Sequence, residues 1–121
     1  MATETFRFDR CSINVLGTAS CTNNGSRRVV VPVGNNVIAS VHAKASDAGT
    51  SWGTAVLKVR IGNFAEGPYG DFSTVQTIPA GGGIAGRLAV SGYHYLAVDV
   101  TTAEGADEYA DIAITLSDHS T

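Results

Sequence analysis

Apolar and polar residues alternate with a period of two along most of this chain, and no long segment has the 3.6-residue period of an amphipathic helix. The segment 55–61 shows the pattern best, because Lys58 and Arg60 fall between apolar residues that share the opposite face. Those apolar residues are Ala55, Leu57, Val59 and Ile61. The pattern predicts a half-buried β-strand with a charged outer face.

Similar alternation recurs in short segments separated by Gly, Pro, Asn and Ser. The predicted strands are 5–9 continuing through 11–16, then 27–33, 37–45, 55–61, 72–78, 84–90, 93–101 and 109–117. Short strands with turn residues every 8–12 positions are typical of sandwiches and barrels. We therefore predict an all-β fold, a single antiparallel β-sandwich of about eight strands, either jelly-roll or immunoglobulin-like.

Particular faces follow from the same alternation. In 84–90, the residues predicted to share a face are Ile84, Gly86, Leu88 and Val90. Near the amino terminus, Phe6 and Phe8 share one face, and in the continuation of the strand Cys11, Ile13 and Val15 lie together on one face.

No change of composition divides the chain, so residues 1–121 are predicted to be one domain. The segment 1–10 has two interpretations. It is either the first strand of the sandwich, with Phe6 and Phe8 in the protein's own core, or an extended arm that adds a strand to a neighbouring protein.

Composition narrows the classes of partner. Only 16% of the residues are charged, below the usual quarter, which leaves neutral surface for a protein partner. The formal net charge of −3 and the lack of a basic stripe argue against nucleic acid as a partner, since the adjacent Arg27 and Arg28 fit a solvated strand end.

No apolar run approaches the ~18 residues that span a membrane, and the polar start of the chain does not resemble a secretory signal. We expect synthesis and assembly in the cytoplasm.

The two cysteines, Cys11 and Cys21, fit neither a redox C-x-x-C pair nor a four-ligand zinc site. They could form a disulfide if they lie on neighbouring strands. In a reducing cytosol, two buried thiols are the expected state, and that is our prediction.

Two groups of residues could in principle carry chemistry. The glycine-rich 80–86 lacks the Lys and Ser or Thr of a phosphate-binding loop, and a strand rather than a helix follows it, so a hairpin connection is predicted. The acidic residues near the carboxyl end do not have the spacing of a calcium-binding loop and are interpreted as a solvated loop. These acids are Asp99, Glu104, Asp107, Glu108 and Asp111.

The sequence also contains no motif typical of a catalytic site. The chain has no G-x-S-x-G elbow, and its Ser, His and Asp residues form no recognisable triad motif. His42 and His94 fall on predicted strands, where an outward polar position is the default. We therefore predict no catalytic residue, no cofactor and no metal, and a protein that is not an enzyme.

The aromatic residues are the candidate binding residues, because aromatic side chains supply large contact area at low entropic cost. The candidate interface consists of Phe6, Phe8, Trp52, Phe64, Tyr69 and Phe72. Four of these fall in or beside two predicted loops, 46–53 and 62–71. The alternative is that Trp52 and Phe72 simply cap the ends of the core.

Three stretches resemble small virion proteins of tailed bacteriophages. These are Trp52 with Val56, Val59 and Ile61, then Ser91-Gly92-Tyr93-His94-Tyr95-Leu96, then Val100-Thr101-Thr102-Ala103-Glu104-Gly105-Ala106. The resemblance covers the chain from Trp52 onward and consists of turn and strand residues. It implies a compact sandwich, often a jelly roll, that decorates or cements the capsid surface, and it carries over no catalytic residue.

The resemblance also implies the partners. They would be the major capsid protein or other virion proteins, and symmetry of the shell favours a homo-oligomer, a dimer or trimer. The location would be the virion, after synthesis in the host cytoplasm. Two alternatives remain: a carbohydrate- or ligand-binding module that uses the Trp52 and Tyr69 loops, and a structural protein of the phage neck or tail.

Overall fold

The computed structural model describes residues 3–14, 16, 21, 29–46, 52–72, 77–103 and 108–118. Within these ranges the secondary structure is β-strand and no helix is found. The strands are β1 Thr3–Ser12, β2 Val29–Pro32, β3 Ile38–Ala45, β4 Val56–Gly62, β5 Gly70–Asp71, β6 Thr77–Ile78, β7 Gly82–Ala89, β8 Tyr95–Thr102 and β9 Tyr109–Ser117. The predicted all-β fold is confirmed.

The strands form two antiparallel sheets. The first has the order β1-β9-β3-β7, and the second has the order β2-β8-β4-β5, with β6 also paired to β4. The pairs are nested, since β1 pairs with β9, β2 with β8, β3 with β7, and β4 with the short strands β5 and β6. The nested pairs form one long two-stranded antiparallel ribbon. The ribbon is folded over on itself, and the additional pairings β3–β9 and β4–β8 join its parts into the two sheets. With β5 and β6 counted as one broken strand, the sandwich is an eight-stranded jelly roll.

The inner faces of the two sheets form the core, as the alternation predicts. On β4, Leu57 and Val59 are fully buried, and on β9 Ile112, Ile114 and Leu116 are fully buried. Each such aliphatic side chain contributes about 1.5–3 kcal/mol relative to an exposed one. The charged outer face predicted for β4 is also present, because Lys58 and Arg60 are only partly buried.

Two β-bulges alter the faces at the outermost strands of the first sheet. In β1 the register shifts between Phe8 and Cys11, where Arg10 has a φ of +49°, so that both Phe8 and Cys11 point into the core. A bulge adds one residue to a strand and therefore changes the phase of its alternation.

The second bulge is on β7, where Gly86 and Arg87 together lie opposite Ser40 of β3. Arg87 has a φ of +57°. As a result Ile84 is 66% exposed, while Ala85 and Leu88 are buried. The prediction that Ile84 and Leu88 share a face is wrong, because period-2 alternation cannot anticipate the extra residue.

A disulfide joins Cys11, on β1, to Cys21, and both residues are buried. The prediction of two unlinked thiols is therefore wrong. That prediction rested on the expected redox compartment, whereas the fold brings the two side chains together.

The outer face of the second sheet contains an ion pair between a buried carboxylate and a partly buried guanidinium. Arg60 Nε lies 3.2 Å from Asp99 Oδ2, and the side chains are 28% and 8% exposed respectively. Lys58 lies directly opposite Asp99 in the strand register and adds a second positive charge beside it. Burial of a carboxylate is costly without such partners. Asp99, which falls on the predicted strand 93–101, is thus buried on the outer face of the sheet.

Substitution of Arg60 by methionine is expected to lower the free energy of unfolding by about 1–2 kcal/mol, measured by urea denaturation. Loss of one partner of a fully buried pair costs about 3–5 kcal/mol, and we discount that value because Arg60 is partly exposed and Lys58 remains. The control is Arg7→Met, which removes the exposed Arg7–Asp9 ion pair of the same 3.2 Å length and should change stability by less than about 0.5 kcal/mol. Equal effects of the two substitutions would contradict a stabilising role of the Arg60–Asp99 pair.

Candidate docking surface

Three strand connections meet at one end of the sandwich, and all of their residues are described. They are 33–37 between β2 and β3, 63–69 between β4 and β5, and 90–94 between β7 and β8; together we call them the three-loop end. Backbone hydrogen bonds tie them together, since Val33 N donates to His94 O at 2.8 Å and His94 N donates to Gly62 O at 3.2 Å. The first and third connections are therefore joined directly, and the second begins beside them, since Gly62 is the last residue of β4.

The buried ring of Tyr69 anchors the longest of these connections. Its hydroxyl donates a hydrogen bond to the carbonyl oxygen of Ala65. The ring lies so close to two glycines that a methyl group on Gly62 would be 2.9 Å from Cδ1 and one on Gly67 would be 3.2 Å from Cδ2. Gly67 N also donates to Phe64 O at 3.1 Å and closes a turn. The loop is thus held in one conformation by packing and hydrogen bonds.

This anchoring leaves Phe64 pointing into solvent, with 62% of its surface exposed. On the neighbouring connection, Tyr93 is 43% exposed and is positioned by a turn in which its N–H donates to Val90 O at 3.1 Å. Gly92, with a φ of +90°, makes that turn possible. An exposed ring on a preformed loop can contact a partner without the entropic cost of ordering the loop.

The three-loop end is nearly neutral. Glu66 is the one carboxylate in its three connections, and they contain no Lys or Arg. Aromatic residues in a surface poor in charge are typical of the central part of a protein interface. A nucleic acid, in contrast, is bound mainly through Lys and Arg contacts to phosphates.

The structure places the six predicted interface residues in different environments. Phe64 is exposed, Phe6 and Phe72 are partly buried against the core, and Phe8, Trp52 and Tyr69 are buried. The indole N–H of Trp52 donates to Ala55 O at 2.8 Å, so this residue caps the chain's own core, as the alternative interpretation proposes. Tyr93 completes the exposed pair, although sequence reasoning did not select it. The Ser91-Gly92 turn just before it is the signal that could have done so.

The predicted acidic group does not come together as one site in the described part of the chain. Glu104 and Asp107 lie outside the described residues, and Asp99 pairs with Arg60. Asp111 Oδ1 accepts hydrogen bonds from Arg10 N and Ser46 Oγ, each at 3.0 Å. Among the described residues, no group of three or more His, Cys, Asp or Glu side chains is arranged to hold a metal ion.

The glycine-rich segment forms a turn, in which Gly82 N donates to Pro79 O at 3.0 Å, and leads directly into strand β7. The expected strand after the glycines is confirmed. The connection is not a hairpin, however, because β6 and β7 belong to different sheets.

Comparison with protein-family models and with curated proteins gave no match. Over the ranges described, the structure contains no helix long and apolar enough to cross a membrane.

Proposed function

We propose that the chain is a non-enzymatic structural protein of a tailed-phage virion that binds the capsid surface through its three-loop end and stabilises the shell. The observation that carries the proposal is the pair of exposed aromatic residues, Phe64 and Tyr93, on preformed and nearly neutral loops. The jelly-roll topology is consistent with it, because this fold is common among viral capsid domains. The resemblance from Trp52 onward points to the same class.

The proposed partner is the major capsid protein or another virion protein. Sites on an icosahedral shell surround symmetry axes, so copies of the chain would meet as dimers or trimers. Phe64 and Tyr93 would fill pockets on the shell, since aromatic anchors supply most of the binding energy of many interfaces.

The double substitution Phe64→Ala/Tyr93→Ala is expected to weaken binding to shells at least about tenfold, because truncation of an aromatic hot-spot residue costs about 2 kcal/mol or more. Shells would be produced from the genome that encodes the chain, and binding would be measured by co-sedimentation. The matched control is Ile84→Ala, which removes an equally exposed apolar side chain from the outer face of the first sheet. It should bind like the unmodified protein.

Mass spectrometry of purified virions provides the decisive check. The protein should be present in the particles in many copies. Its absence, or failure to bind shells, would refute the proposal. Immunogold labelling would distinguish the capsid surface from the neck or tail, which is the alternative location.

A carbohydrate-binding module is the second candidate, because exposed aromatic rings also stack on sugar faces. It would use Phe64 and Tyr93, since the rings of Trp52 and Tyr69 are buried. A glycan array distinguishes the two: selective binding to neutral glycans that is lost in Phe64→Ala favours the module. A glycosidase gene beside the coding gene would favour it as well, whereas a capsid or portal gene would favour assembly.

A further inference from the structure

The three-loop end contains an exposed carboxylate without a counter-ion, that of Glu66. Among the described residues, this carboxylate has neither a hydrogen bond nor an ion pair. Glu66 lies in the turn that is closed by the 3.1 Å hydrogen bond from Gly67 N to Phe64 O. The Cα atoms of Glu66 and Phe64 are at most about 7 Å apart, because two residues of extended chain span no more than that. The carboxylate and the exposed ring therefore share one small area of surface.

A second carboxylate borders the three-loop end. It belongs to Glu4 of β1, whose Oε1 accepts a hydrogen bond from Nδ2 of Asn36 at 3.0 Å. Asn36 is buried and its amide is neutral, so this bond positions the carboxylate of Glu4 without neutralising it. The three connections contain no Lys or Arg, and His94 is their one potential cation. A partner with complementary charge is therefore basic where it meets this surface.

Docking through Phe64 would also remove water from Glu66, because the two side chains start from the same turn. A carboxylate that loses its water and gains no partner strongly opposes binding. The three connections offer no Lys or Arg to compensate it. The cation must therefore come from the molecule that binds.

An arginine suits both groups in this area. Its guanidinium can form two parallel hydrogen bonds with a carboxylate, and its flat face stacks on aromatic rings. The ring of Phe64, which is 62% exposed, offers a face for such stacking. Arginine is also enriched in protein interfaces, whereas lysine is depleted there.

We propose that the docking partner presents an arginine to the three-loop end, with its guanidinium paired to Glu66 and stacked on Phe64. This inference rests on the docking function proposed above and adds the chemistry of the partner's surface. The pair also gives specificity, because a partner with a carboxylate or an apolar side chain at this point would leave Glu66 uncompensated.

Substitution of Glu66 by glutamine is expected to weaken shell binding at least about tenfold, because it leaves the partner's arginine without a counter-ion. Glu66→Arg should weaken binding at least about a hundredfold, since two like charges would then meet. The matched control is Asp9→Asn, which removes a carboxylate of β1 that is 47% exposed and should bind like the unmodified protein. Binding would be measured by co-sedimentation, and an unchanged melting temperature would show that Glu66→Gln is folded.

Chemical modification of the shells identifies the cation. Phenylglyoxal, which removes the charge of arginines, should weaken binding of the unmodified protein about tenfold and that of Glu66→Gln much less, because the two changes remove the same contact. Acetylation of shell lysines should leave the difference between the two proteins in place. If acetylation removes that difference, the cation is a lysine and the assignment of arginine is wrong. An equal loss for both proteins after phenylglyoxal would also overturn it.

Three outcomes separate this inference from the docking function. If Phe64→Ala/Tyr93→Ala weakens shell binding and Glu66→Gln does not, the arginine is wrong and the three-loop end remains the docking surface. If neither variant weakens binding, or the shells are not bound at all, both proposals fail. If the effect of Glu66→Gln disappears when His94 is also replaced by Gln, the counter-charge belongs to the chain itself, and the inference is overturned.

Discussion

Replacement of Gly82 by alanine is expected to lower the free energy of unfolding by about 3 kcal/mol or more. Gly82 has a φ of +101°, which strains any residue with a side chain. A Cβ atom here would also lie 2.5 Å from Ala43 O and 3.1 Å from Lys44 Cα. These are backbone atoms of β3, which is held between β7 and β9 and therefore cannot move aside.

The control is Gly92→Ala. Gly92 also has a positive φ, +90°, but an added Cβ would meet nothing within 4 Å. This substitution should cost only the conformational strain, about 1–2 kcal/mol. Urea denaturation of both variants separates steric overlap from strain. Equal losses in the two variants would show that the close approach to Ala43 does not limit the residue at position 82.

Removal of the disulfide by the double substitution Cys11→Ala/Cys21→Ala is expected to lower the free energy of unfolding by about 2–4 kcal/mol. The bridge closes a loop with a sequence separation of 10 residues and thereby restricts the unfolded chain. Both sulfur atoms also belong to the core, so some packing is lost as well.

Thermal unfolding with and without reductant provides the measurement. Reductant should lower the melting temperature of the unmodified protein and leave that of the double variant unchanged. Intact mass should also rise by two hydrogen atoms on reduction, since each sulfur becomes a thiol. If reductant changes neither the melting temperature nor the mass of the unmodified protein, the two cysteines are unlinked in solution. The sequence-based prediction of two buried thiols would then be correct.

The regular strands could be predicted from sequence because their environment is simple. In β4 and β9 one face is buried and the other is not, so alternation alone identifies both the strand and its inward residues. The strand order could not be predicted, because pairings such as β1 with β9 join the two ends of the chain. The outward position of Ile84 was missed because it depends on a bulge at Gly86 and Arg87.

The candidate docking surface could be predicted only in part, for a different reason. The loop containing Phe64 and Tyr69 was identified as aromatic, but sequence does not show which ring is exposed. Tyr69 is buried because Gly62 and Gly67 leave room for its ring and Ala65 offers a carbonyl acceptor. Exposure of Phe64 is the consequence of that packing. The exposure of a loop side chain thus depends on tertiary contacts, whereas that of a strand side chain follows from its position in the alternating pattern.

The bulges also bear on how the protein behaves at high concentration. β1 and β7 are the outermost strands of the first sheet, and each contains an arginine in the left-handed conformation, Arg10 and Arg87. A kinked edge with a charged side chain is a poor template for another strand, so growth of the sheet into fibres is opposed at both sides. The two edges of the first sheet thus disfavour edge-to-edge pairing of one copy of the chain with another.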